Sequence, residues 1–198
     1  MSLFRITKKM LLAAAVLWTA ISSAYADSDT LVVYFSRAGN QLNGDLKKGN
    51  TAVVAEMIAK KLNADIFEVK PVIDNYNIPY KKLTELASQE KDNNIRPTYE
   101  EGNIQNLDKY SKVFIGSPVW WGDFPMIMYT FFEKNNLNGK IIYPFATHEG
   151  SGLSSFDLRL KSLYPAADVR VGLAIRGKET QNNDEEILSK ITKWIDNN

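Results

Sequence analysis

The residues best suited to chemistry in this chain sit in three loops, and none of the three holds an activated nucleophile or a pair of carboxylates spaced for acid–base work. The most distinctive loop reads Gly116-Ser117-Pro118-Val119-Trp120-Trp121-Gly122-Asp123-Phe124-Pro125. Neighbours in sequence do not easily both turn into a core, so at least one of the two indoles is available to stack on a flat ligand. Core packing is the competing role. Of the pair, Trp120 is taken as the stacking ring and Trp121 as lying nearer the outside. Gly122 admits backbone states closed to other residues, which would let its peptide carbonyl turn toward or away from a bound ring.

A second loop begins Ser36-Arg37-Ala38-Gly39-Asn40 and runs through polar residues to Gly49-Asn50-Thr51, where a helical pattern starts. A phosphate monoester needs several donors. The free N–H groups and dipole of a helix start supply them, with the Ser36 and Thr51 hydroxyls able to complete the cage. An ordinary turn capped by Asn or Thr explains Asn50 and Thr51 equally well. The Gly-Asn pair occurs at 39–40 and again at 49–50; the helical pattern follows the second copy, which makes Asn50 and Thr51 the candidates. Arg37 either neutralises a phosphate or is simply solvated. The third loop is Thr147-His148-Glu149-Gly150-Ser151-Gly152-Leu153. Its glycines admit close approach to a flat ligand, and successive N–H groups can meet carbonyl oxygens on a polar edge. His148 is the only histidine in the chain; a donor or proton shuttle competes there with an ordinary structural histidine. Glu149 is read as contributing backbone rather than acid.

Such loops need a rigid edge to hold them. Apolar runs at Leu31 to Phe35, Val113 to Ile115, Ile141 to Phe145 and Val169 to Ile175 lack polar alternation, the pattern of strands buried on both faces. Helical spacing follows at Val54, Met57, Ile58 and Leu62, then at Ile127, Met128 and Phe131. It is clearest at Ile187, Leu188, Ile191, Trp194 and Ile195, with Asp184 expected to cap the start. Alternating strands and helices predict a parallel sheet covered on both sides. A half-exposed edge strand is expected over Asp65 to Val69, completing five strands in the doubly wound α/β order 2-1-3-4-5, three layers deep. One further helix is expected from Tyr80 to Lys91, packed over the site or one edge, its exact docking not readable from sequence.

Residues 1–26 form a basic start, an apolar run from Met10 to Ala24 and the triplet Ala24-Tyr25-Ala26, the pattern of a cleaved secretory signal peptide. The run is shorter than the roughly 20 residues a membrane span needs. A single domain over residues 27–198 is expected, periplasmic or secreted, with no lasting membrane anchor. The chain has no cysteine, which excludes disulfides, thiolate nucleophiles and sulfur-ligated metals. Its formal charge is +1; the leader carries three of the 24 basic residues and no acidic ones, which leaves −2 for the remainder. A nucleic-acid partner is not indicated.

Taken together, Leu31-Val-Val-Tyr-Phe-Ser-Arg, Gly49-Asn-Thr, Ala64-Asp-Ile-Phe-Glu, Arg96-Pro97, Gly116-Ser-Pro-Val-Trp-Trp-Gly, Pro144-Phe-Ala-Thr-His-Glu-Gly-Ser-Gly and Gly172-Leu-Ala-Ile-Arg-Gly resemble the bacterial flavodoxin family, over essentially the whole chain after the leader. The resemblance implies a flavodoxin-like fold and FMN (flavin mononucleotide). It places Ser36, Asn50 and Thr51 at the phosphate, and Pro118, Val119, Trp120, Trp121 and Gly122 beside the isoalloxazine ring. Thr147, His148, Glu149, Gly150 and Gly152 come at its polar edge. It also implies electron exchange with redox donor and acceptor proteins or a small quinone-like acceptor. An NAD(P)H-dependent quinone-type reductase and an exported binding module without flavin are the rival expectations. Two departures stand out: flavodoxins resemble one another in being strongly acidic and cytosolic, whereas this chain is near neutral and carries a leader without an Arg-Arg pair.

Overall fold

The computed structural model describes residues 28–198 apart from 43, 102, 103, 105 and 182, so the leader expected over residues 1–26 lies outside the described residues. The strands are β1 (Thr30–Tyr34), β2 (Gly39–Gln41), β3 (Gly44–Leu46), β4 (Asp65–Glu68), β5 (Lys112–Pro118), β6 (Ile141–His148), β7 (Asp168–Val169) and β8 (Leu173–Arg176). The helices are α1 (Asn50–Leu62), α2 (Tyr80–Asp92), α3 (Met126–Lys134), α4 (Phe156–Leu163) and α5 (Asp184–Asp196). The main sheet runs β4-β1-β5-β6, all parallel, and both β7 and β8 pair with the far side of β6. That is the expected 2-1-3-4-5 order, with its fifth position shared by two short strands.

Side-chain alternation along β1 explains the three layers. Leu31 and Val33 point to one face, against Ile127, Phe131 and Leu160 of α3 and α4 and Leu83 of α2. Val32 and Tyr34 point to the other, against Val54, Ile58, Ile187, Ile191 and Trp194 of α1 and α5. Both faces are apolar because helices cover both, which is why these strands read as unbroken hydrophobic runs.

Three local expectations are corrected. The strand expected from Val169 to Ile175 is interrupted at 170–172. Facing that gap on β6 is Pro144, which has no N–H to give the neighbouring strand, and a Cβ on Gly172 would sit 2.9 Å from the Pro144 carbonyl oxygen. The α5 cap is Asn183, whose side chain accepts the Glu186 N–H, and Asp184 is already the first helical residue. The stretch 37–49, read as loop, contains the antiparallel hairpin β2–β3, too short and too polar to leave a hydrophobic pattern.

Candidate functional site

The loop after β1 leads into α1 with no side-chain cap on Gly49 and no acidic residue in the first turn. The helix start therefore keeps the positive end of its dipole uncompensated, the setting in which anions bind. Gly49 is a steric necessity there: a Cβ would fall 2.3 Å from Ser36 Oγ and 2.4 Å from the Arg37 carbonyl oxygen. Ser36 Oγ accepts the Ala52 N–H at 3.0 Å, holding the loop against the helix start and leaving its own hydroxyl proton to give. Thr51 is buried, and its hydroxyl bonds that of Thr147 at 2.7 Å. It thus ties the first loop to the third instead of standing open to a ligand. Asn50 Oδ1 accepts from Thr180 Oγ1 and Gln181 Nε2, both at 2.7 Å. Neither proposed role of Arg37 describes its contacts. The side chain is buried and its guanidinium donates to three backbone carbonyls, those of Asn40, Tyr76 (2.7 Å) and Ile78 (2.5 Å).

In the second loop, Trp120 and Asp123 exchange backbone hydrogen bonds at 3.0 Å in both directions. Between them, Trp121 and Gly122 have φ of 49° and 74°. Positive φ at both central positions is the signature of a type I′ turn; Gly122 adopts it freely, whereas Trp121 is held there. The Trp121 indole N–H donates to the Thr84 carbonyl at 2.9 Å, and its own carbonyl accepts from Lys91 Nζ at 2.6 Å. The two rings part company. Trp120 is half-buried and packs edge-on against Phe35 and Tyr76, while Trp121 is 58% exposed. The Gly122 carbonyl is not free to turn, since Ser154 and Ser155 hydroxyls donate to it at 2.7 and 2.9 Å. Below the turn, the buried Asp123 carboxylate accepts from Arg159, the Tyr129 hydroxyl and the Phe124 N–H, so its charge is fully partnered.

The third loop continues β6. Thr147 is buried and hands its carbonyl to the Val119 N–H at 2.9 Å, joining the second and third loops. His148 is half-buried and its Nδ1 accepts the Gly150 N–H at 3.0 Å. Burial, reinforced by the charge of Arg176, holds the imidazole below its ordinary pKa, against the weaker opposing pull of Glu149 and Glu179.

These loops border one cleft of about 490 Å³, a volume usual for small-molecule sites. Asn50, Pro118, Val119, Trp120, Trp121, Thr147, His148, Glu149 and Gly150 line it; Ser36, Thr51, Gly122 and Gly152 do not. Ser36 and Thr51 belong instead to the α1 start, which reaches the cleft through Asn50. The opposite wall comes from the helix expected over Tyr80 to Lys91, whose exact docking the sequence leaves open. It consists of Tyr80, Leu83, Thr84 and Ala87 from α2, with Gln41 from the hairpin. Its sequence signal is the helix expected over Tyr80 to Lys91 within the long segment between β4 and β5. Among the described residues, no group of three or more His, Asp or Glu side chains is placed to hold a metal ion, and no helix is long and apolar enough to cross a membrane.

Ligands of doubly wound sheets bind outside the carboxyl ends of the strands where the order reverses, and this cleft lies at that end of the sheet, lined from the ends of β5 and β6 and from Asn50 at the start of α1. The profile of the flavodoxin family matches residues 29–198. The chain belongs to the flavodoxin family. Among solved structures it is similar to a putative flavoprotein from Bacteroides eggerthii, with 26% identity, 84% of this chain and 97% of that one covered, and a TM-score of 0.62. It is similar in the same way to a putative flavoprotein from Bacteroides uniformis, at 26% identity, 82% and 97% coverage and a TM-score of 0.61. A flavoprotein from Lactobacillus acidophilus, solved in complex with FMN, shares the fold at 22% identity, 84% and 97% coverage and a TM-score of 0.59. No curated protein matches. On the far side of this flavodoxin-family site, Arg37, just after the end of β1, ties down the hairpin through Asn40 and the segment leading into α2 through Tyr76 and Ile78.

Proposed function

We propose that this chain holds FMN non-covalently in the cleft and uses it to carry electrons. The observation that carries the reading is the continuity of two unlike environments. A helix start with no cap from Gly49 and no acidic residue in its first turn, suited to a phosphate, opens through Asn50 onto a cleft walled by tryptophan, proline and aliphatic side chains. Ser36, Asn50 and Thr51 would organise the phosphate end, with backbone N–H groups of α1 as the donors. Pro118 to Trp121 would flank the ring system, and the loop from Thr147 to Gly150 its polar edge. Trp120 would be the stacking ring, its half-buried indole braced by Phe35 and Tyr76, with Trp121 covering from the α2 side. When bound, FMN supplies the electron chemistry, and the protein tunes it through stacking, hydrogen bonds and local charge.

The partners would be redox donor and acceptor proteins or a small quinone-like acceptor, and the leader would place the protein in the periplasm or outside the cell. One observation favours a second reading, an FMN-dependent NAD(P)H:quinone-type reductase: α2 closes one side of the cleft with Tyr80, Leu83 and Ala87, room better matched to a small flat acceptor than to a docking protein. Titration of purified protein with FMN tests the common premise. Tryptophan fluorescence should be quenched to a saturable end point, and an unchanged signal from folded protein would leave a binding module without flavin. Rapid mixing of the FMN-loaded protein with NADPH or NADH then separates carrier from reductase, since only the reductase is reduced within turnover times.

A further inference from the structure

His148 is the single histidine of the chain. It ends β6, its ring lines the cleft, and its Nδ1 accepts the Gly150 N–H. A ring nitrogen that accepts a hydrogen bond bears no hydrogen, so the neutral imidazole keeps its proton on Nε2. We infer that His148 is a proton-linked positioning residue of this site. Neutral, it pins the turn through Glu149 and Gly150 and offers Nε2–H to a carbonyl oxygen on the polar edge of the bound ring. Protonated, it releases that turn. The inference rests on the FMN reading above and names its regulation.

The chemistry lies at Nδ1. A second proton can enter the ring only there, where it meets the Gly150 N–H, one donor facing another. The bond is lost, and the amide must find another acceptor or turn to water. Gly150 and Ser151 are exposed, so that part of the turn can move without disturbing the core. The stretch of cleft lining that Gly150 and Ser151 supply moves with it. Three charged groups face the ring. Arg176 on β8 is the register partner of His148, Glu149 follows it in the loop, and Glu179 comes from the turn after β8. Burial and Arg176 prevail over the two carboxylates and hold the imidazole below its ordinary pKa, which favours the neutral ring. Linkage is reciprocal: if protonation weakens the ligand, the ligand must resist protonation to the same degree.

Two measurements decide the matter. The ligand-free protein has one imidazole to observe by ¹⁵N NMR. Between about pH 8 and 5 its high-pH form should be the Nε2–H tautomer, and the Gly150 amide should shift with the same midpoint. In parallel, FMN affinity is measured over that range for the wild type and for His148→Asn, whose side-chain oxygen can still accept from Gly150 but does not titrate. The FMN phosphate itself titrates near about pH 6, equally in both proteins, and cancels in their ratio. On acidification the wild type should lose on the order of tenfold more affinity than the variant, within the usual span of coupling between sites. An Nδ1–H tautomer, or a Gly150 amide indifferent to His148, overturns the inference even where FMN binds. Parallel FMN curves overturn it as well. If neither protein binds FMN, the proposed function fails, and the NMR titration alone decides whether His148 controls its loop.

Discussion

The Arg37 guanidinium lies one residue from Ser36, where a cation that neutralises a phosphate would be expected, yet its N–H groups are spent on the carbonyls of Asn40, Tyr76 and Ile78. Removing it would strand buried acceptors, each costing roughly 1–3 kcal/mol. Arg37→Met should therefore lower stability by about 2–4 kcal/mol, read as a lower urea midpoint, and weaken FMN and riboflavin alike by loosening the far wall; a phosphate-binding arginine would show a loss confined to FMN. Nothing in the local sequence could have revealed this, because two of the three acceptors lie 39 and 41 residues away. Glu90 is a second hidden case. It is 5% exposed on the inner face of α2, where the Tyr76 hydroxyl donates to it at 3.2 Å, and burial raises its pKa above the usual carboxylate value. The native state then holds the Glu90 proton more tightly than the unfolded chain does. Its contribution is complete below the unfolded pKa and is lost as pH rises through the native one. Glu90→Gln should accordingly match the wild type near pH 4 and exceed it in stability near pH 8, which denaturant titrations at the two pH values would compare.

At the scale of elements, legibility followed the range of the forces involved. The runs Leu31 to Phe35 and Ile141 to Phe145 were readable as strands because each is apolar through its own length, a consequence of helices on both faces. The interruption between β7 and β8 was not readable, because its cause is Pro144 on the neighbouring strand. The helix α2 was visible in the sequence, but its exact place was not. Its apolar face is narrow, with only Leu83, Ala87 and Glu90 buried, and much of its attachment to the second loop passes through Trp121. The indole N–H to Thr84 and the carbonyl to Lys91 fasten wall to loop, and they hold Trp121 in a left-handed conformation that costs a bulky residue energy. Trp121→Phe keeps the ring and deletes one fastener. Global stability should fall by no more than about 1 kcal/mol. Hydrogen exchange should accelerate selectively over residues 80–92, and FMN should dissociate faster. Uniform acceleration across the sheet would show instead that α2 is held by packing alone.

For the whole molecule, stability comes from two apolar cores on opposite faces of one sheet, with no cysteine available to add a covalent link. Thermal unfolding should therefore be indifferent to reductant. It should not be indifferent to ligand, because the proposed site draws its parts from distant points along the chain: the start of α1, the ends of β5 and β6, and the α2 insertion. Unfolding any one of them dismantles the cleft, so FMN can bind only the native state and must stabilise it by mass action. At a free concentration one hundred times Kd the gain is about 2.7 kcal/mol. For a domain of this size each kcal/mol raises Tm by roughly 2–4 °C, so the expected shift is on the order of 5–10 °C, rising with the logarithm of FMN concentration. Riboflavin, which lacks the phosphate, should produce a clearly smaller shift at equal concentration if the start of α1 supplies a large share of the affinity. Equal shifts from the two flavins would mean that the aromatic cleft does the binding and that the helix start is only a turn.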